Sequence, residues 1–184
     1  TASSYTPTLA PSSSYWWKVV PRNAIGPAAD CPVWSFSTPG AYQLAESFED
    51  PTFPPEDWAN DSIDPWIRST DSWAFDGSAV AYQFGSDTIG YTLSTPMLTI
   101  SMGDIFRFSS SVTLASSTLD VVYSTDRTDW SLLQTINHSV AHVWHTNTID
   151  LSSIAGNYYL GIRTGLQRDN FYIDHFFGPN IAEF

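Results

Sequence analysis

Apolar and polar residues alternate along most of the chain. Phe106, Phe108 and Val112 are interleaved with Arg107 and Ser109, and Leu119, Val121 and Tyr123 with Asp120 and Ser124. Tyr158, Leu160 and Ile162 alternate in the same way with Gly161 and Arg163. A period of two places every second side chain on one face, so these runs read as half-buried antiparallel strands. Turn-forming clusters separate them: Met102-Gly103-Asp104, Thr125-Asp126-Arg127 and Ala155-Gly156-Asn157. No stretch keeps helical spacing beyond a turn or two. Roughly nine strands after residue 40, evenly punctuated, predict an all-β fold, an antiparallel jelly-roll β-sandwich. Its expected core is Phe48, Trp58, Trp66, Leu98, Phe106, Phe108, Val121, Tyr123, Leu160, Ile162, Phe171 and Ile173.

The turn-rich sequence Ser37-Thr38-Pro39-Gly40 marks a boundary. Before it stand two strand-like runs, Tyr15 to Val20 and Val33 to Ser37, joined by a Pro/Gly/Asn-rich connection. A segment of this size seldom builds its own core, so residues 1–38 read as the end of a larger β domain. Residues 39–43 read as a linker and 44–184 as the sandwich.

Composition excludes more than it assigns. Nineteen acidic residues against seven basic ones give a net charge of −12, and Lys18 is the one lysine. That balance argues against nucleic acid, whose phosphates require clustered Lys and Arg. No apolar run is long enough to insert in a membrane as a helix. Cys31 is the sole cysteine, so neither an internal disulfide nor a cysteine-based zinc cluster can form. There is no Gly-x-Ser-x-Gly elbow and no His-Glu-x-x-His motif, and no glycine-rich phosphate loop. The expectation is therefore not an enzyme but an accessory module. His138, His142 and His145 lie close together, but in residues that read as a hairpin connection and a strand, not one zinc-binding helical face.

Two resemblances give the pattern a family context. Leu9-Ala10-Pro11, Tyr15-Trp16-Trp17-Lys18-Val19-Val20, Asn23-Ala24-Ile25-Gly26 and Val33-Trp34-Ser35-Phe36-Ser37-Thr38 follow the order of the last third of a fibronectin type III domain. This segment resembles that piece, with Tyr15 in the place of the corner tyrosine. The absent earlier strands imply an uncovered face and edge, and hence contact with the second domain or with another chain. From Leu44 onward four ordered stretches carry a second likeness. They are Glu46-Ser47-Phe48-Glu49 with Phe53-Pro54-Pro55 and Trp58; Leu93-Ser94-Thr95-Pro96 with Leu98 and Gly103-Asp104; Leu119 through Asp126; and Ile149-Asp150-Leu151, Ala155-Gly156, Leu160 through Arg163, and Tyr172-Ile173-Asp174. They resemble the cleaved-adhesin and choice-of-anchor J family, MAM-like jelly-roll modules of secreted bacterial surface proteins. The sequence departs from that family at Asp174-His175, where two consecutive acids are usual, and at Tyr91-Thr92, where a tryptophan is common.

The second resemblance implies a structural calcium ion where the first and last strands meet. Glu46, Glu49, Asp50 and Asp174 are the matching acids, and their oxygens suit a hard cation. The alternative is that they are solvated or accept backbone amides. A second expectation rests on the eight tryptophans, most of which belong in a core. Trp73 sits in Ser72-Trp73-Ala74-Phe75-Asp76-Gly77, a loop-like stretch outside the family pattern. It is either a stacking platform for a sugar ring or a loop anchor plugged into the core. Asp71, Asp76 and Arg68 are its polar neighbours in sequence, and Trp130 after its turn is a second half-exposed ring. The combined expectation is a non-catalytic binding or adhesion module of a secreted or cell-surface bacterial protein, recognising carbohydrate or a matrix or host protein. The alternative is a structural spacer or assembly domain with no ligand.

Overall fold

Fifteen strands and no helix form among the described residues. The computed structural model describes Pro7, Leu9 and residues 14–37, 43–60, 63–70 and 73–182. The chain divides into two compact units, Thr1–Tyr42 and Gln43–Phe184.

In the first unit, β1 (Ser14–Trp17) pairs antiparallel with β4 (Trp34–Ser37), setting Tyr15 opposite Phe36 and Trp17 opposite Trp34. Both cross-strand pairs stack, with ring centroids 5.7 and 4.7 Å apart. Between them, β2 (Arg22–Asn23) and β3 (Gly26–Pro27) form a small hairpin. The Asn23 side-chain oxygen accepts the N–H groups of Ile25 and Gly26 at 2.9 and 3.2 Å and so closes its turn.

The second unit contains β5 (Gln43–Glu46), β6 (Ala59–Asn60), β7 (Ile67–Ser69), β8 (Val80–Phe84), β9 (Thr92–Ile100), β10 (Ile105–Val112), β11 (Thr118–Ser124), β12 (Ser131–Asn137), β13 (His145–Asp150), β14 (Gly156–Thr164) and β15 (Asn170–Ile181). One layer runs β12-β11-β14-β9 and the other β13-β10-β15-β8-β7, every pairing antiparallel. The end of β15 also pairs with β9, which joins the layers into one continuous sheet wrapped around its core. The core draws Leu93, Leu98, Leu119, Val121, Leu160 and Ile162 from the first layer, and Ala81, Phe106, Phe108, Ile149, Phe171, Ile173 and Phe176 from the second. All the core residues expected from sequence are buried except Tyr123, which is partly buried and packs on the cluster's edge against Tyr158.

Two bulges shape this sandwich. In β9 the pairing with β14 slips at Thr95-Pro96, where proline costs no ladder bond. The Leu160 N–H is satisfied instead by the Thr95 hydroxyl at 3.1 Å. In β15 the pairing with β10 slips between Asp174 and Phe177, and His175 takes φ 57°. The extra residue inverts the phase of the strand. Before it, Phe171 and Ile173 face the core; after it, Phe176 does, ringed by Phe48, Trp58, Phe106 and Phe108 at 5.3–5.7 Å. Without the bulge Phe176 would point outward.

Candidate functional site

The face of β8, β15 and β10 opposite the core carries the chemistry. On β15 it presents Tyr172 and Asp174 and, past the bulge, Phe177; on β8 Tyr82; on β10 Arg107, Ser109 and Ser111. Two loops lie over it, residues 73–79 before β8 and residues 138–144 before β13. Together they arrange the rings in two rows. Tyr82, Tyr172, Trp73 and His142 follow one another at centroid spacings of 5.2, 6.3 and 5.6 Å. Trp144, Phe75, His175 and Phe177 follow at 5.6, 5.5 and 4.8 Å. Phe75 and Phe177 are 40% and 45% exposed, and His142 is exposed as well. Such a strip offers flat apolar surface with polar edges, a surface on which a planar or ring-shaped ligand can stack.

Loop 73–79 is fixed by two carboxylates. Asp174 is fully buried; its Oδ2 accepts the N–H groups of Phe75 and Asp76 at 3.0 and 3.2 Å, and its Oδ1 that of His175 at 2.7 Å. Loss of hydration pushes its pKa up to about 6, although the amides of Asp76, His175 and Phe75 and the charge of His175 oppose the rise. Glu49 holds the other end: its Oε1 accepts the N–H groups of Ser78 and Ala79 at 2.8 and 2.9 Å, and its Oε2 the Ser78 hydroxyl at 2.8 Å. The Ser78 amide and hydroxyl bonds, then the Ala79 amide and the charge of Arg68, hold its pKa below the usual carboxylate value. Gly77 between these anchors has φ 70°, and a Cβ there would lie 2.3 Å from Glu49 Oε1. The glycine is therefore required both by backbone conformation and by the close approach of the carboxylate.

An acidic depression adjoins the strip. Ala45, Glu46, Ser47, Glu49, Asp50, Asp76, His175 and Phe177 line it. Three acids expected to bind calcium thus come together, joined by Asp76. Asp174 is not part of the lining: it is fully buried beneath the loop, with its oxygens accepting backbone amides. Of the others, Glu46 Oε1 accepts the Phe48 N–H at 2.5 Å, and Asp50 Oδ1 the Thr52 N–H at 2.8 Å. Among the described residues no group of three or more His, Cys, Asp and Glu side chains is gathered into a metal cage. The donors have the hard-oxygen chemistry of a calcium site, in the form of an open dish.

The remaining residues expected to bind a sugar are dispersed. Trp73 is half-buried, its ring set edge-on against His142 and its indole N–H enclosed without an acceptor. Arg68 turns to the backbone of the first loop, donating to the carbonyls of Phe48 and Glu49 at 2.6 and 3.0 Å. Trp130 belongs to the other layer and packs on Gly161, where a Cβ would come within 3.1 Å of its ring. Asp71 lies outside the described residues. Arg68 stands on β7 beside the end of loop 73–79, but its guanidinium is taken up by the first loop's carbonyls. The strip's other rings, Tyr82, Tyr172, Phe75, Trp144 and Phe177, were not singled out. The strand alternation does signal two of them, Tyr82 and Tyr172, as outward residues beside Ala81 and Ile173.

No protein-family model matches the chain, and no curated protein matches it. Solved structures do. The K1 cleaved adhesin domain of Lys-gingipain from Porphyromonas gingivalis W83 is similar with a TM-score of 0.62 and 19% identity, over 77% of this chain and 99% of that one. TmCBM61, solved in complex with β-1,4-galactotriose, is similar with a TM-score of 0.53 and 14% identity, over 73% and 94%. The CBM22-1 xylan-binding domain of Paenibacillus barcinonensis Xyn10C gives 0.55 and 15%, over 78% and 97%. At these identities the likeness is one of fold: the chain carries an adhesin-like jelly-roll sandwich.

Proposed function

We propose that this protein is a non-catalytic binding module that holds a neutral glycan on the strip of Phe75, Trp144, His175 and Phe177. The observation that carries the reading is the strip itself: rings from two loops and β15, partly open to solvent, on a rigid sheet face. Aromatic faces stack on the C–H faces of pyranose rings, and the flanking Asp76, His175 and Arg107 offer partners for hydroxyl groups. The net charge of −12 disfavours anionic polymers and leaves neutral ones. The sandwich fold shared with adhesin and carbohydrate-binding domains supports the same reading, together with a secreted or cell-surface location. An array of neutral glycans probed with the labelled protein tests it. Binding to one class of neutral polymer is expected; a blank array favours the spacer reading instead.

We further propose that calcium is held in the adjoining dish by Glu46, Glu49, Asp50 and Asp76. A bound cation would offset the repulsion among these carboxylates and tie the first loop to loop 73–79. A ligand of the native state raises apparent stability. Tm should therefore be higher in millimolar calcium than in chelator, and an unchanged Tm removes calcium from the account.

A further inference from the structure

The interior of the sandwich is apolar along most of its length but ends in a polar plug. Residues 138–145 form a strap that crosses from the end of β12 in one layer to the start of β13 in the other. His138 and His145 are its two ends, and their rings meet edge to face inside, with centroids 5.8 Å apart. His138 is 1% exposed. Its backbone N–H donates to the Ser117 carbonyl at 3.0 Å, and its carbonyl accepts the Ser116 N–H at 2.7 Å. Ser110, opposite His145 in register, accepts Asn147 Nδ2 at 2.8 Å and bonds His138 Nε2 at 2.9 Å. The bond between Ser110 and Nε2 runs in either direction according to the imidazole tautomer. His138 Nδ1 and His145 Nε2 are both buried without a partner.

This plug has no room for a second proton. Protonation makes both ring nitrogens donors, and the buried Nδ1 has no acceptor for its hydrogen. The titratable groups facing His138 are His145 on β13 and Asp169 before β15. Asp169 is itself 1% exposed, and its oxygens already receive the N–H groups of Thr113, Leu114 and Asn170 and the Thr113 hydroxyl. It cannot turn to pair with an imidazolium. Burial, and then His145, hold His138 below the ordinary imidazole range; the Ser117 backbone bond and Asp169 offset this only in part. The neutral form therefore stabilises the fold above about pH 6.5, and that contribution is lost as the pH falls.

The crown of the strap reaches the binding strip. The His142 N–H donates to the Val112 carbonyl at 2.8 Å, its ring lies against Trp73, and the Trp144 ring lies against Phe75. We propose that the His138–His145 plug is an acid-sensitive latch: a proton on the buried His138 loosens the strap, withdraws His142 and Trp144 from the strip, and weakens ligand binding at acidic pH. Only the last step rests on the glycan reading.

Amide hydrogen exchange on the intact chain, corrected for intrinsic rates, tests the latch with no ligand present. Between about pH 7.5 and about pH 5.5 the His142 amide should lose protection severalfold, with about tenfold the most that one coupled proton allows. Core amides such as Ile162 and Ile173 should keep theirs. His138→Gln, which retains a hydrogen-bonding group but takes no proton, should remove the pH dependence. His138→Phe serves the same purpose if the glutamine variant does not fold. Equal protection at both pH values, an identical acid response in the variants, or loss of protection across all amides together overturns the latch. Soluble xylan and β-1,4-galactan are the binding probes. If neither is bound while the exchange behaves as expected, the glycan reading fails and the latch stands.

Discussion

Replacing Asp174 with asparagine should alter the pH dependence of stability. The carboxyl is fully buried beneath loop 73–79, and desolvation pushes its pKa up to about 6. In the unfolded chain the same group sits near 3.8. The native state thus binds this proton more tightly than the unfolded state. The resulting stabilisation is complete below the unfolded pKa and is lost as the pH rises through about 6. The gap between the two values corresponds to about 3 kcal/mol, of which about 2 kcal/mol is recovered on going from about pH 7.5 to about pH 4.5. Asparagine keeps the shape and one acceptor oxygen but takes no proton. Urea unfolding of both proteins, followed by tryptophan fluorescence in chelator, gives the difference directly. On acidification that difference should move about 2 kcal/mol in favour of the wild type. Parallel stability profiles across this range would refute the assignment of a raised pKa to Asp174.

Other substitutions test the packing. Phe176→Ala empties the centre of the aromatic core that the β15 bulge fills, and should cost about 3–5 kcal/mol in urea unfolding. Arg127 donates to the carbonyls of Asp57 and Thr95 and lies 4.0 Å from the centre of the Tyr159 ring. Arg127→Ala should therefore lower stability by about 2 kcal/mol, and lysine, which lacks the planar guanidinium that lies over the Tyr159 ring, should rescue only part of it. Gly77→Ala places a methyl group against Glu49 at a left-handed φ, so exchange protection of the Ser78 and Ala79 amides should fall while that of β14 is kept.

The strands and most of the core were legible because burial on one face of a sheet imposes a period of two, and that period survives in Phe106–Val112, Leu119–Tyr123 and Tyr158–Ile162. Proline 96 inside a strand was no obstacle, since it occupies a bulge. Where one extra residue changes the phase, alternation misleads: Phe176 and Phe177 are adjacent, yet only the backbone at His175 decides which of them enters the core. The aromatic strip was harder to read for a related reason. Loop 73–79 is placed by Asp174, almost a hundred positions later, and by Glu49 well before it, while Arg68, its neighbour in sequence, bonds the first loop instead. The acids at 46, 49 and 50 did come together, because one short segment, from the last residue of β5 to Asp50, carries all three. Spacing marks His138 and His145 as close in sequence, but not that their rings meet inside, since they end a strap that joins two layers.

The claim that the strip binds glycan is tested most directly by affinity electrophoresis of the wild type, Phe75→Ala and Trp144→Ala in gels containing soluble xylan or β-1,4-galactan. Retardation of the wild type in at least one polymer is expected, with affinity reduced about tenfold or more in each variant, the loss of one stacking ring. Wild type that migrates unretarded in both polymers, or variants retarded as strongly as wild type, would contradict it.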